Sequence, residues 1–513
     1  MFSIRSILKV GTLTLASRVL GFARDMLLAA LIGTGPIADA WFVAMRLPNL
    51  FRRLFAEGAF NAAFVPMFAG RLEAGGAPAA RGFAERVLAI MLAFLLILTV
   101  LAELAMPWLI MLFAPGFIDD PGKFGMTVLF TAITFPYLLF MCLSALLGGI
   151  LNSLHHFGHA AAAPILLNLV LVLGLAFVAP QVEQPGLVLV WGVALAGLLQ
   201  FLWLFLAARA AGMSLRLSRP RIDGEIRQMV KLMVPGLIGG GVTQISILIA
   251  TILASLQDQA VSYLSYADRL YQLPLALIGA AIGVVLLPVL ARAIRAGREG
   301  EAMAAFNRSI EFALLLTLPA TVGLIAAGEP IIRVLYERGA FTAEATQNTA
   351  YALMAISLGL PAFVLNKALQ PGFYAREDTL TPFKFSIATV IADIAICLAL
   401  FPFIGFVGIA LGTGLAAWIN TVLLYRKLRA LRYLAPDDRL KRNLPRLLLA
   451  NLVMAGVLIG GQVPLSAWLV GSQIERAASL ALLIGVAALV YFAIVFATGA
   501  YTLADFKRHA LRR

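Results

Sequence analysis

Charged residues are scarce in this chain of 513 residues, of which only 13% are Asp, Glu, Lys or Arg and 61% are hydrophobic. That balance excludes a soluble globular enzyme and predicts an all-α polytopic membrane protein. Acids are scarcer than bases, at 26 against 40, and the net charge is +14. In a membrane protein such an excess indicates basic cytoplasmic loops, so no nucleic-acid partner is predicted.

Metal ligands and nucleotide-binding motifs are also scarce. Cys142 and Cys397 lie in apolar runs without C-x-x-C spacing, and we interpret them as small buried hydrophobic residues. The histidines of residues 155–159 have no acid or cysteine beside them, so no metal site is predicted. No G-x-x-x-x-G-K-[ST] loop is present to hold ATP, and no cofactor is expected. A cleavable signal peptide is not expected, because Arg18 and Arg24 interrupt the long first apolar run.

Long apolar runs dominate the remainder of the chain. Since about 20 apolar residues span a bilayer, we predict about fourteen transmembrane helices. Their approximate bounds are 7–33, 37–70, 84–114, 124–153, 159–180, 186–211, 227–256, 260–292, 303–327, 344–373, 380–402, 405–428, 443–463 and 477–500. Lys and Arg concentrate in alternate loops, which predicts that both termini are cytoplasmic.

The chain repeats itself. The same offset separates Lys9 from Lys231 and Pro66 from Pro288, in corresponding places of helices 1–2 and 7–8. We therefore predict two six-helix lobes related by a pseudo-axis along the membrane normal, at 1–212 and 213–432, with two additional helices in 433–513. This plan is typical of alternating-access transporters, whose substrate site is expected between the lobes.

Two of the predicted helices are too charged to face lipid. Residues 39–66 carry Asp39, Arg46, Arg52, Arg53 and Glu57, and each charge at bilayer depth costs roughly 2.5–3.5 kcal/mol. On a helix, the side chains of four of these residues fall near one stripe, namely Asp39, Arg46, Arg53 and Glu57. One open interpretation is that they form ion pairs with a structural role only. Helix 1 adds three more charges, namely Arg18, Arg24 and Asp25.

The intramembrane charge is positive in sum. The local acids are too few to neutralise the arginines, and helix 8 adds only Asp268 with Arg269. We therefore predict functional roles for the surplus cations Arg18, Arg24, Arg52 and Arg269. Because a guanidinium fork matches phosphate oxygens in bidentate geometry, the expected ligand is an anion such as a phosphate.

Four segments resemble one family. They are S-R-V-L-G-F-A-R-D at 17–25, the whole of 39–60, A-D-R-L at 267–270 and P-G-F-Y-A-R-E-D-T at 371–379. They closely resemble the MurJ (MviN) family of lipid II flippases, in the multidrug/oligosaccharidyl-lipid/polysaccharide exporter superfamily. The resemblance covers essentially the whole chain.

The resemblance implies export of undecaprenyl-pyrophosphoryl disaccharide-pentapeptide, lipid II, from the inner to the outer leaflet of the bacterial cytoplasmic membrane during peptidoglycan biosynthesis. It implies that Arg18, Arg24, Arg52 and Arg269 are cavity residues that bind the substrate. The acid matching Asp39 is also functionally sensitive in that family. The last two helices match those thought to hold the lipid tail, and membrane lipids and the cell-wall synthesis machinery are expected partners. The family's sodium site is not expected here, because helix 7 offers only Gln244 and no acid.

The supporting ions are Asp25, Asp39, Arg53, Glu57 and Asp268, and the acids among them either partner arginines or couple protons. Three other functions remain open, namely exporting another polyprenyl-linked glycan, exporting a drug with cation coupling, and an integral-membrane enzyme acting on a polyprenyl pyrophosphate. Surplus arginine repels cationic drugs. The enzyme is disfavoured because no acids cluster for Mg²⁺ at the membrane face. A channel is disfavoured because two unequal lobes with buried charge pairs suit a closing site.

Overall fold

A computed structural model describes residues 4–53 and 59–501 and contains no β-strand within those ranges. The prediction of an all-α protein is therefore confirmed for the described chain. Its first part contains eight α-helices: α1 Ile4–Ile32, α2 Pro36–Arg52, α3 Phe60–Leu104, α4 Met106–Phe113, α5 Pro121–Thr134, α6 Tyr137–Ser153, α7 Phe157–Leu173 and α8 Pro185–Ala210.

After a linker at residues 211–223, twelve further helices follow. They are α9 Gly224–Ser255, α10 Ala260–Arg295, α11 Glu299–Ala326, α12 Gly328–Tyr336, α13 Ala343–Ser357, α14 Leu360–Leu369, α15 Pro371–Tyr374, α16 Leu380–Ile404, α17 Phe406–Ala430, α18 Asp438–Gln462, α19 Ser466–Val470 and α20 Gln473–Ala497.

Eleven helical segments of the described chain are long and apolar enough to cross a membrane. The helices α1, α2 and α10, which carry the predicted binding residues, are not among them. The count of about fourteen transmembrane helices therefore stays a prediction. The polytopic character is clear from the eleven segments alone.

A glycine interrupts α3, and a proline removes a backbone donor within α2. Gly76, at φ 67° and ψ −168°, divides α3 into two helical segments, a conformation that glycine adopts without a steric penalty. Pro48 lies inside α2 and has no N–H to donate to the Ala44 carbonyl. The Thr134 hydroxyl of α5 lies 3.5 Å from that carbonyl, while its shorter hydrogen bond, at 2.9 Å, is to the Phe130 carbonyl of its own helix.

The described chain forms two compact units. Unit 1 consists of Met1–Ser262 with Arg338–Phe341, and unit 2 consists of Tyr263–Glu337 with Thr342–Arg513. The helix α9, which the sequence repeat assigns to the second lobe, packs within unit 1. Lobe boundaries drawn from the repeat at 212 and 432 stay a prediction.

Each unit has its own packed interior. In unit 1, stacked phenylalanines of α3 form a core with Ile226 and Met229 of α9; the rings are Phe60, Phe64, Phe68 and Phe83. In unit 2, α16 and α17 approach closely at Gly412, which has no side chain. A Cβ at that position would lie 2.7 Å from the Cys397 sulfur. Both cysteines are buried and unbridged, as predicted.

Candidate functional site

The first charged cluster joins α1 to α7. Arg24 donates from Nη2 to Asp25 Oδ1 at 2.7 Å and from Nη1 to Asn168 Oδ1 at 3.0 Å. The Asn168 amide in turn donates to the Ser17 carbonyl at 2.9 Å, so it holds α1 at two points. The Arg24 and Asp25 side chains are 14% and 10% exposed. The arginine is thus positioned by neutral and acidic partners while it keeps some access to solvent.

The second cluster is fully buried. Asp39 lies in the first turn of α2, where a carboxylate is favoured by the helix dipole, and is 0% exposed. Lys123 donates to its Oδ2 at 2.7 Å, while the N–H and hydroxyl of Ser262 donate to its Oδ1 at 2.9 and 2.5 Å. Since Ser262 lies in the first turn of α10, Asp39 ties α2 to both α5 and the start of α10.

Lys123 is held for this task by its own helix start. Asp120 accepts the N–H groups of Gly122 and Lys123, both at 3.0 Å, and so caps α5. The ammonium lies 4.2 Å from the centre of the Phe117 ring and 3.9 Å from a carboxylate oxygen of the exposed Asp258. Asp39 therefore pairs with Lys123, and an alternative acid is close to that lysine.

The end of α2 places the next arginines. Arg52 Nε donates to Asn49 Oδ1 at 3.1 Å, and the Asn49 amide donates to the Met45 carbonyl at 2.8 Å. Arg53 follows with an exposed side chain. Glu57, the predicted partner of Arg53, lies outside the described residues.

Arg18 is exposed on α1, and in the described chain it makes no hydrogen bond or ion pair. In unit 2, Arg269 is exposed on α10 directly after Asp268, which accepts a hydrogen bond from Gln272. The structure thus brings Arg24 together with Asp25, and Arg18 lies on the same helix. Arg269 belongs to unit 2.

Several polar residues of the structure carry no predicted role. Lys123 lies just before the predicted helix at 124–153, and Asn168, Glu311 and Lys367 lie within predicted apolar helices. Glu311 is 0% exposed and Asn168 is 7% exposed. An ionisable residue inside a predicted membrane helix was the available signal for Glu311 and Lys367. Asn168 carried no such signal, because its role depends on how α7 packs against α1.

The chemistry of the cluster suits binding. Between residues 4–53 and 59–501, no group of three or more His, Cys, Asp or Glu side chains is placed to hold a metal ion. The accessible groups are guanidinium donors, which bind carboxylate or phosphate oxygens and do not deprotonate. The arrangement therefore favours recognition of an anion over acid–base catalysis.

Comparison with known proteins shows which proteins this chain resembles. Residues 28–479 match the family model described as lipid II flippase MurJ. A probable lipid II flippase MurJ of Rhizobium tropici is 46% identical, across 100% of this chain and 97% of that protein. A lipid II flippase MurJ of Burkholderia cenocepacia is 34% identical, across 99% of each.

Two solved structures are similar. A lipid II flippase MurJ in an inward closed conformation superimposes with a TM-score of 0.79 at 25% identity, across 98% of this chain and 99% of that one. A multidrug resistance MATE family transporter in an inward-facing conformation gives a TM-score of 0.69 at 13% identity, across 81% of this chain and 95% of that one. The second likeness concerns the fold alone.

Proposed function

The chain belongs to the MurJ family of lipid II flippases, and from that premise we propose that it translocates lipid II from the inner to the outer leaflet of the membrane. It is a multi-pass inner-membrane protein of a transporter family, so the prediction that it is not an enzyme is confirmed. The proposed cargo is undecaprenyl-pyrophosphoryl disaccharide-pentapeptide.

One observation carries the proposal: α1 holds more cationic donors than its acids occupy. Asp25 accepts two bonds from Arg24, which leaves Nη hydrogens of that guanidinium for a ligand, and Arg18 is exposed without a described partner. A pyrophosphate supplies the oxygens that such guanidinium groups bind. We assign Arg18, Arg24, Arg52 and Arg269 to the headgroup, in a polar cavity that alternates its access.

Neutral polar partners support this assignment. Asn168 and Asn49 accept from Arg24 and Arg52 without cancelling their charge, so they orient the guanidinium groups for an anion. We assign Asp39 to a contact that opens and closes during the cycle. The carboxylate of Asp258 lies near Lys123 and is available to replace Asp39 as its partner.

The energetics permit transport without ATP. With both termini cytoplasmic, an anion that leaves an inside-negative cell gains about 2.3 kcal/mol per charge per 100 mV. The polyprenyl tail stays in lipid beside α18 and α20, and the product is delivered to the cell-wall synthesis machinery.

The proposal is tested by the sidedness of lipid II in cells depleted of their own flippase. Wild type should restore lipid II to the outer leaflet, whereas Arg18→Ala, Arg24→Ala, Arg52→Ala and Arg269→Ala at equal membrane levels should trap it inside. Arg221→Ala, in the exposed linker before α9, is the matched control and should restore transport. If wild type fails, the cargo is another lipid-linked glycan. If all four variants work, the arginines are not its anion site.

A further inference from the structure

Lys367 is a cation within a candidate membrane span of unit 2, and the function above does not use it. It lies on α14, within the apolar segment Ala343–Tyr374, and its side chain is exposed. In the described part of the chain it makes no hydrogen bond or ion pair. An unpaired ammonium in hydrocarbon costs roughly 2.5–3.5 kcal/mol, so its surroundings must be polar.

The helix around Lys367 is otherwise enclosed. The segment Ala343–Tyr374 is 72% buried in its apolar window, the highest value of the eleven membrane segments found in the described chain. Lys367 is the one exposed residue of α14, whose ten residues are all described. Its exposure therefore reflects an opening on one side of α14.

That opening follows a polar stripe. Phe363, Lys367, Gln370 and Tyr374 recur at helical spacing, all are at least partly accessible, and three of them are polar. A different face of the same segment, at Tyr351 and its neighbours, borders an apolar groove of about 620 Å³. The two faces differ in the way expected if one meets water and the other meets lipid.

A glycine on α10 seats the lysine. A Cβ at residue 279 would lie 2.6 Å from Lys367 Cδ and 3.1 Å from Cε, so the lysine stem lies directly against Gly279 and a methyl group there would displace it. One turn earlier on α14, Phe363 packs against Tyr271 of α10 with ring centres 5.5 Å apart. Lys367 is thus positioned across α10 instead of extending freely.

We propose that Lys367 binds an anionic oxygen of the cargo, as a second anion contact apart from the arginines. This inference rests on the proposed flippase function. Gly279 lies ten residues after Arg269 on α10, which corresponds to about 15 Å of helix rise. An ammonium with three donors binds a phosphate or a carboxylate equally well. Lipid II offers both, in its pyrophosphate and its peptide.

The test measures lipid II binding to the purified protein in nanodiscs. Lys367→Met keeps the length of the side chain without its charge and should weaken binding about tenfold, as expected for a lost charge-assisted contact. Lys367→Arg should restore most of the affinity. Lys384→Met removes an exposed lysine at the start of α16 and is the matched control, which should bind as wild type does.

Two lipids distinguish the sources of the anion. If the loss in Lys367→Met persists with lipid II whose peptide carboxylates are amidated, the partner is the pyrophosphate; if it vanishes, the partner is a carboxylate. Wild-type affinity of Lys367→Met for both lipids would overturn the inference. Failure of the wild-type protein to bind any lipid II would instead refute the proposed function.

Gly279→Ala gives a second test that does not alter the charge. It should weaken binding in the wild-type background, because the added methyl displaces the lysine stem. In the Lys367→Ala background it should have no further effect. Equal losses in both backgrounds would show that Gly279 serves packing alone and would contradict the proposed seat.

Discussion

Asp39 in unit 1 and Glu311 in unit 2 are both buried carboxylates with 0% exposure, yet their partners differ. Among the described residues, Asp39 accepts from Lys123 and from Ser262. Glu311, on α11, accepts from three side chains, namely Arg308, Arg439 and Asn443. Asp39 therefore has few partners, and its lysine has an alternative acid nearby in Asp258. Glu311 is instead the centre of a network of side chains.

The partners of Glu311 are themselves held. Arg308 also contacts Asp437, which caps α18 by accepting the Leu440 N–H at 2.8 Å. The Asn443 amide donates to the Ala500 carbonyl at 2.8 Å, just beyond α20. Glu311 thus fixes both of the last long helices to α11.

The helix α20 is tied to α11 and to the end of α12 at two further levels. Tyr491 of α20 donates to the Leu315 carbonyl at 2.7 Å, and Gln473 donates to the Val334 carbonyl at 2.8 Å. Arg476 pairs with Glu337 at 3.1 Å. Burial alone therefore does not separate the proposed switching contact at Asp39 from the network at Glu311, whereas the number and anchoring of the partners do.

The largest expected effect on stability comes from removing the Glu311 carboxylate. Glu311→Ala leaves two guanidinium groups and an amide without their shared acceptor, and it should cost about 3–5 kcal/mol of stability, as for other broken buried ion pairs. Thermal unfolding of the purified protein measures this loss.

Glu344→Ala is the matched control, because Glu344 is exposed in the first turn of α13. It should change stability by less than about 0.5 kcal/mol, as surface substitutions usually do. An equal unfolding temperature for the two variants would show that Glu311 does not fix the helices.

Asp39→Asn should affect transport more than stability. The change leaves Lys123 without its carboxylate, at a cost of about 1.5–3 kcal/mol, the range for hydrogen bonds to charged groups. Lipid II sidedness should nevertheless fall close to that of the depleted cells. Adding Lys123→Met should recover most of the stability, since both charges are then gone, but not the transport. Recovery of transport would mean that the pair is structural only.

The sequence predicted the helical class and the charged helices well, because hydropathy and charge are local properties. The contact of Arg24 with Asp25 joins neighbours in the chain and so needs no knowledge of the fold. The partners across helices were not accessible in this way. Asn168 reaches Arg24 only because α7 packs on α1, and no local pattern specifies that packing.

Lys123 was missed for a different reason. The run from Asp119 to Lys123 contains Pro and Gly and is typical of a turn, so the sequence pattern predicts an exposed loop that includes the lysine. In the structure Asp120 caps α5 and Pro121 begins it, which places Lys123 in the first turn, pointing at Asp39. Pro is favoured in that position of a helix, so the same letters fit a helix start equally well.

Ser262→Ala sharpens the comparison by removing one bond of the smaller contact. Asp39 keeps the N–H of residue 262 and its pairing with Lys123, so only the hydroxyl bond is lost, worth about 1.5 kcal/mol, the low end of the range for hydrogen bonds to charged groups. Ser386→Ala is the control, because within the described chain that hydroxyl donates to the Pro382 carbonyl of its own helix and makes no hydrogen bond to another element. If Ser262→Ala lowered the stability as much as Asp39→Asn does, the hydroxyl bond would be as important as the ion pair with Lys123, which would contradict this prediction.

The smallest effect is a pH dependence at the edge of the Glu311 network. Burial raises the pKa of Asp437, but the hydrogen bond from the Leu440 N–H and the Arg308 guanidinium outweigh it, so the pKa lies below its ordinary value of 3.8. A carboxyl with a lowered pKa stabilises the folded state above that ordinary value and loses the contribution as the pH falls through the folded pKa.

Asp437→Asn isolates this contribution, because asparagine still caps α18 but carries no charge for Arg308. The stability gap between wild type and the variant should stay constant from about pH 7 to pH 5 and close below about pH 4. Asp378→Asn is the matched control: hydrogen bonding from Thr381 lowers the pKa of that loop acid, so its gap should close in the same range. Only Asp437→Asn, however, should loosen the last two helices, measured by proteolysis between α17 and α18. If both variants loosen them equally, the effect comes from general surface charge and the Glu311 network does not extend to Asp437.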